Sequence, residues 1–109
     1  MDATQFYRVA KAIADARRFE ILEAIALDGE LSCKEIVEKF TVSQATISHH
    51  LKELINAGLV KPRREGQYCY YKLCPGVLAD YIAKLEGLIA QSQSNAHARK
   101  PRARNALTS

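Results

Sequence analysis

The sequence of 109 residues predicts a single mainly helical α+β domain, a winged helix-turn-helix, in the order α-α-α-α-β-β-α. Three observations predict it. Most of residues 4–92 shows the apolar spacing of amphipathic helices. Residues 59–73 instead read as two short extended stretches around the turn Glu65-Gly66, which indicates a β-hairpin. Two short helices, joined by only a few residues, come directly before that hairpin.

The first two helices are predicted over residues 4–14 and 16–27. In the second helix, one face contains apolar residues at helical spacing: Phe19, Leu22, Ile25 and Ala26. Asp28-Gly29 ends this helix, because glycine suits the left-handed conformation that often follows a helix.

The helix pair that follows has a capping residue at the start of each member. Ser32-Cys33-Lys34-Glu35 has the capping-box pattern, which predicts a helix over 33–39. Ser43 is a good N-cap for the next helix, 44–57. The core-facing stripe of that helix consists of Ile47, Leu51 and Leu54.

The last helix is predicted from Val77 to about Ser92, after Pro75 at its first turn. Its apolar stripe consists of Leu78, Tyr81, Ile82, Leu85, Leu88 and Ile89. Residues 93–109 lose this periodicity and are rich in Ser, Asn, Arg and Ala. We therefore expect a folded domain over 1–92 and a disordered basic tail over 93–109.

The charge distribution is more informative than the net charge of +4. Residues 97–109 hold four basic residues and no acidic ones, so their charge alone equals the total. Residues 44–73 hold five basic and two acidic residues, which gives +3 (5 − 2) in a segment predicted to be folded. A positive folded segment favours a polyanionic partner.

The sequence also indicates the compartment. No apolar run approaches the roughly 20 residues that cross a bilayer, and the N-terminus lacks the apolar core of a secretion signal. The three cysteines are an odd number, which argues against a disulfide framework. We expect a cytoplasmic protein with reduced thiols and no membrane partner.

Helix 44–57 is the predicted DNA recognition helix, because the second helix of such a pair enters the major groove. Its predicted DNA contacts are Ser43, Gln44, Thr46, Ser48 and His49, with Lys52 as a phosphate contact. Gln pairs bidentately with adenine, and Ser or Thr meets several base edges. The alternative for each is a solvated helix face. His50 is predicted to be a half-buried packing residue with a satisfied ring nitrogen.

The hairpin is predicted to be the wing. Arg63, Arg64 and Gln67 lie nearest its tip and are the predicted wing contacts to double-stranded DNA. The alternative for the arginines is protection of an edge strand by charge. Strand alternation sets Gln67, Cys69, Tyr71 and Leu73 on one face, most of which we expect to pack on the domain.

Five segments resemble the ArsR/SmtB family of small winged-helix repressors: ARRFEIL (16–22), ELS (30–32), VSQATISHHLKEL (42–54), AGLV (57–60) and RREGQYCYYKL (63–73). The resemblance runs over about residues 4–90. It implies a homodimer formed through the first and last helices, binding to an operator, and release by an effector whose identity the sequence does not indicate.

The metal-ligand motifs of that family are missing from this chain. Members that sense arsenite or cadmium carry a Cys-x-Cys at positions matching Ser32 and Lys34. Members that sense zinc or nickel carry paired Asp/His and His/Glu ligands on the last helix, where this chain has only Asp80 and Glu86. We therefore expect no metal site and no cofactor.

The three cysteines leave two alternatives open. Cys33 lies at a helix N-terminus, where the helix dipole favours negative charge. Cys69 and Cys74 are about 16 Å apart if the strand continues, which is too far for a bridge within one chain. Cys33 with Cys69 or Cys74 is a candidate thiol switch, responsive to oxidant or trivalent arsenic; the alternative is three small packing residues.

Two other function classes fit the sequence less well than a DNA-binding regulator. A winged helix also occurs as a protein-interaction module, which the positive wing and helix disfavour. An enzyme is disfavoured because the sequence has no Gly-rich phosphate loop, no paired-carboxylate pocket and no supported Cys–His arrangement.

Overall fold

A computed structural model describes the backbone of residues 1–98 and the side chains of residues 1–95. Its elements are α1 (Ala3–Ala14), α2 (Ala16–Asp28), β1 (Leu31–Ser32), α3 (Cys33–Phe40), α4 (Gln44–Asn56), β2 (Val60–Glu65), β3 (Tyr68–Leu73) and α5 (Pro75–Ala98). The predicted α+β winged helix-turn-helix is confirmed, with one additional short strand.

Side-chain caps define where the first four helices begin. The Ser32 hydroxyl accepts from the Glu35 N–H at 3.1 Å, and the Glu35 carboxylate accepts from the Ser32 N–H at 2.8 Å. This reciprocal pair is the predicted capping box. Asp2 and Asp15 cap α1 and α2 in the same way, by accepting from the N–H three residues on. These caps satisfy amide groups that a helix start leaves without partners.

The sheet has three antiparallel strands in the order β1-β3-β2, so β3 is central. Leu31 pairs with Tyr71 and Ser32 with Tyr70, which attaches the start of α3 to the wing. The strand β1 is not in the predicted element order, because two residues are too few to show alternation. Its pairing connects the wing to the start of the helix pair.

The core lies where α1, α2 and α4 meet the sheet. Its buried apolar residues are Val9, Ala12, Ile21, Leu22, Ala24, Ile25, Leu31, Ile36, Ile47, Leu51, Leu54, Ala57, Leu59 and Val60. The predicted face of α2 is partly wrong, since Phe19 is 42% exposed and Ala26 is exposed, whereas Ile21 is buried. Helix α2 contacts α1, α4 and the sheet, so its buried side is wider than the stripe beginning at Phe19.

The last helix continues to Ala98, six residues past its predicted end near Ser92. Residues 93–98 lack an apolar face but also lack Gly and Pro, so nothing in them breaks a helix. The rest of the predicted tail, residues 99–109, lies outside the described residues. Within the part that is described, no helix has the length and apolarity needed to cross a membrane.

Candidate nucleic-acid interface

Helix α4 has one buried face and one exposed polar face. Ile47, Leu51 and Leu54 are at most 2% exposed, as their spacing predicts. Of the predicted DNA contacts, those on this helix or at its cap are all exposed: Ser43, Gln44, Thr46, Ser48, His49 and Lys52. The first two turns of α4 therefore present short polar and amide side chains to a partner.

Ser43 and Thr46 contact each other at the start of α4. The Ser43 hydroxyl accepts from the Thr46 N–H at 3.1 Å, and the two hydroxyl oxygens lie 2.9 Å apart. Both hydroxyls thus take part in the cap. Of the predicted contacts in these turns, Gln44, Ser48 and His49 form no side-chain hydrogen bond within the described residues.

His50 is half-buried, as predicted. The prediction that its ring nitrogen has a hydrogen-bond partner is wrong for Nδ1. Its Nδ1 atom is buried and has no hydrogen-bond partner in the described part of the chain. Burial lowers the pKa of His50, and the nearby carboxylate of Asp15 opposes that shift only in part. The packing of α4 against α2 thus leaves the buried Nδ1 atom without a hydrogen bond.

The wing is a hairpin closed by the two residues Gly66 and Gln67. Gly66 has φ +62°, which glycine adopts freely at the first position of such a loop. Gln67 is therefore in the loop and not in the strand. Arg64 pairs with Cys69 and Arg63 with Tyr70 across β2 and β3, so the two arginines lie on opposite faces.

Arg63 is engaged within the chain. Its Nε and Nη2 donate to the Glu30 carboxylate at 2.7 and 2.9 Å, and its Nη1 donates to Glu65 at 3.1 Å. Its guanidinium carbon also lies 4.9 Å from the centroid of the Tyr70 ring. These carboxylates raise the pKa of Arg63, and the hydrogen bonds from Arg63 lower the pKa of Glu30. Arg64 forms no ion pair among the described residues.

A cleft of about 320 Å³ joins the first turns of α4 to the wing. The predicted contacts that it brings together are Gln44 and Ser48 from α4 and Gln67 from the wing loop. His49 and Lys52 are exposed but do not line the cleft. His49 lies on another side of α4, and Lys52 lies farther along the helix. No residue that lines the cleft is acidic, which suits the approach of a phosphate backbone.

Two residues of this surface were not predicted as contacts. Lys34, in the first turn of α3, lines the cleft beside Gln44. Tyr68, beside the wing loop, also lines it and is 52% exposed. A basic residue near a helix start and an aromatic residue at a hairpin tip are the sequence signals that were available. Neither signal by itself identifies a DNA contact, because the sheet register is needed to place these residues beside the cleft.

The cleft also contains two of the three cysteines. Cys33 and Cys69 both line it, together with Tyr71. Burial raises the pKa of Tyr71 to about 12, and the adjacent Cys69 and Cys33 thiols add to the shift. Cys74 lies at the other end of β3, where its N–H donates to the Leu59 carbonyl at 2.8 Å.

Metal-binding groups are not clustered in this surface. Over the described residues, no three His, Cys, Asp or Glu side chains come close enough together to hold an ion.

Comparison with known proteins places this geometry in a family. Residues 15–61, from the start of α2 to the start of β2, match the family model described as bacterial regulatory protein, arsR family. The chain is 33% identical over 93 residues to the arsenical resistance operon repressor of Staphylococcus aureus, covering 85% of this chain and 88% of that repressor. The chain belongs to the ArsR family.

Two solved structures extend the family assignment to the whole described fold. An ArsR-like transcriptional regulator from Rhodococcus sp. RHA1 superimposes with a TM-score of 0.80 at 25% identity, covering 87% of this chain and 89% of that one. The homodimeric winged helix-turn-helix DNA-binding domain Mb0332 of Mycobacterium bovis, a possible ArsR-family regulator, gives a TM-score of 0.65 at 29% identity, covering 94% and 89%.

Proposed function

We propose that this ArsR-family chain is a homodimeric transcriptional repressor that binds an operator in double-stranded DNA and leaves it when an effector binds. The observation that carries the proposal is the cleft between α4 and the wing. It combines Gln44, Ser48 and Gln67, which carry base-reading chemistry, in a cleft that no carboxylate lines.

In this proposal, α4 lies in the major groove with its N-terminal turns against the base edges. Gln44, Ser48 and His49 read bases, because their side chains are exposed and make no hydrogen bond within the described chain. Ser43 and Thr46 support them by fixing the start of the helix. Lys52 and Lys34 contact phosphates on either side.

The two faces of the wing have different roles in the proposed DNA binding. Arg64 and Gln67 contact the DNA backbone or minor groove, since both are exposed near the tip and on the side of the cleft. Arg63 is a positioning residue in this proposal, because Glu30 and Glu65 already hold its guanidinium. Its predicted direct contact with DNA is therefore not part of the proposal.

A dimer is supported by the apolar residues that the chain leaves exposed on α5. Ile82, Leu85, Leu88 and Ile89 of the predicted stripe are 48%, 38%, 62% and 59% exposed. Tyr7 of α1 is 68% exposed, and α1 contacts α5 through Phe6 and Tyr81, whose rings are 4.8 Å apart. A second copy would cover this face and place two α4 helices about 34–36 Å apart, one turn of DNA.

An effector would act by changing this dimer or the cleft. A regulator of this kind acts in the cytoplasm, where the chromosome is. The similarity of the chain to transcriptional regulators supports this function over an enzyme or a module that binds only protein.

Binding to promoter DNA tests the proposal. A labelled duplex from upstream of the protein's own gene is titrated with the full chain, against a scrambled duplex of equal length and composition. We expect a protein–DNA complex that persists in excess scrambled DNA. The double variant Gln44→Ala/Ser48→Ala should bind both duplexes alike, whereas Leu27→Ala, 84% exposed on α2, should behave as the parent chain.

Two results would count against the proposed function. One is the absence of any complex with promoter or scrambled DNA at low salt, which would favour the protein-interaction module. The other is equal affinity of the unaltered chain for both duplexes.

A further inference from the structure

The register of the sheet brings two cysteines to one place. Leu31 pairs with Tyr71 and Ser32 with Tyr70 in the antiparallel ladder. The next pair in this register would be Cys33 and Cys69, at the point where the chain leaves β1 and enters α3. Residues directly opposite each other in antiparallel strands have Cα atoms about 4.5–5.5 Å apart. Disulfides span about 4.4–6.8 Å between Cα atoms.

The two thiols also share an accessible environment. Both cysteines are half-buried, and both line the open cleft between α4 and the wing. Arg64 of β2, the strand along the other edge of β3, pairs with Cys69, so a basic side chain lies beside the thiol pair. The thiols are thus within reach of small solutes and are not sealed in the core.

We propose that Cys33 and Cys69 are a redox site that forms a reversible disulfide when a peroxide is present, and that this disulfide weakens DNA binding. One thiol attacks the peroxide, so that an S–OH forms, the O–O bond breaks and one water leaves. The second thiol then attacks that sulfur, the S–S bond forms, the S–O bond breaks and a second water leaves. The two thiols lose two electrons, which the peroxide gains. A dithiol reverses the oxidation by exchange.

The link from this site to DNA rests on the proposed function. Gln44 and Ser48, the proposed base-reading residues, line the same cleft as the two cysteines. A disulfide would tie the first residue of α3 to the second residue of β3 and fix the separation of the helix pair from the wing. The two DNA-contacting elements could then no longer adjust independently to the duplex.

Cys74 is excluded from the pair by the same register. It follows the end of β3, where its backbone pairs with Leu59, about 16 Å along the strand from Cys69. It therefore provides a matched control with the same chemistry in the same chain.

Peptide mapping tests the site directly, because trypsin separates the three cysteines. Cys33 lies in peptide 19–34, Cys69 in 65–72 and Cys74 in 73–84. The full chain is treated with hydrogen peroxide, alkylated without reduction and digested. We expect a linked pair of peptides 19–34 and 65–72, in protein that runs as a monomer on a non-reducing gel and loses the link with dithiothreitol.

Titration of the promoter duplex measures the consequence. Oxidation should weaken binding about tenfold, with recovery after dithiothreitol. Cys74→Ser should keep this response, and Cys33→Ser and Cys69→Ser should lose it. Circular dichroism spectra and melting temperatures of the reduced variants equal to those of the parent chain would confirm that the substitutions leave the fold intact.

The outcomes separate this inference from the proposed function. No link between 19–34 and 65–72, a link through 73–84, or unchanged or tighter binding by the oxidised protein overturns the redox site. Failure of the reduced chain to bind any duplex instead overturns the proposed function. In that case the peptide map still decides whether the two thiols pair.

Discussion

The Arg63 guanidinium donates two hydrogen bonds to the Glu30 carboxylate, from Nε at 2.7 Å and from Nη2 at 2.9 Å. This paired geometry connects β2 to the segment between α2 and β1, which are far apart in sequence. The wing is thereby attached to the domain from one face. Arg64, on the opposite face, is left to meet a partner.

Substitution of the two wing arginines should therefore have different effects on the salt dependence of DNA binding. Each phosphate that a protein neutralises adds about 0.9 to the log–log slope of affinity against salt. We expect Arg64→Ala to reduce this slope by about 0.9. Arg63→Ala should weaken binding without changing the slope and should speed amide hydrogen exchange in β2, because the wing loses its attachment. A reduced slope in Arg63→Ala would instead show that Arg63 contacts phosphate.

The exposed stripe of α5 should control the oligomeric state. Leu88→Glu introduces a charge at a residue that is 62% exposed in one chain and would be buried in a dimer. We expect light scattering to report a folded monomer with little affinity for the promoter duplex. Leu27→Glu is the matched control, since Leu27 is 84% exposed on α2, and it should remain a dimer. A dimeric Leu88→Glu protein would place the interface elsewhere.

His50 should make the fold sensitive to mild acid. Its pKa is lowered by burial from the ordinary value of 6.5, so the unfolded chain takes up a proton first as the pH falls. The stabilising contribution of neutral His50 is therefore present above pH 6.5 and is lost as the pH falls below it. Asp15 opposes this effect, whereas Arg17, Arg18 and His49 favour it.

Thermal unfolding between about pH 7.5 and pH 5.5 measures this effect. The melting temperature of the parent chain should fall over that range. His50→Gln should flatten the fall, whereas His49→Gln should keep most of it, because His49 contributes less than burial to the lowered pKa of His50. Identical pH profiles for His50→Gln and the parent chain would contradict the assignment.

The sequence predicted the elements that depend on local chemistry. The capping box at Ser32, the cap at Ser43 and the buried stripe of α4 are present as predicted, because caps and helical spacing are properties of short segments. The predicted end of α5 was wrong, because an apolar stripe shows where a helix packs and not where it ends. The face of α2 was partly wrong because α2 packs against several elements at once.

Which residues meet at the candidate site could not be predicted from single segments, because it depends on contacts between segments that are distant in the sequence. Gln44, Ser48 and Gln67 were predicted separately, and only the pairing of β1 with β3 brings their elements around one cleft. That same register selects Cys69 over Cys74 as the neighbour of Cys33. The partner of Arg63 was not predictable either, because Glu30 lies 33 residues away in the chain.

The central claim is that the first turns of α4 read the base sequence of an operator. Gln44→Ala tests it most directly, measured on the promoter duplex and on a set of duplexes with single base-pair changes. We predict a loss of about 1–3 kcal/mol on the promoter duplex and relaxed discrimination at one base pair. Lys52→Ala, about two turns later on α4, should weaken all duplexes equally. An equal loss on every duplex for Gln44→Ala, as for Lys52→Ala, would contradict base reading by α4.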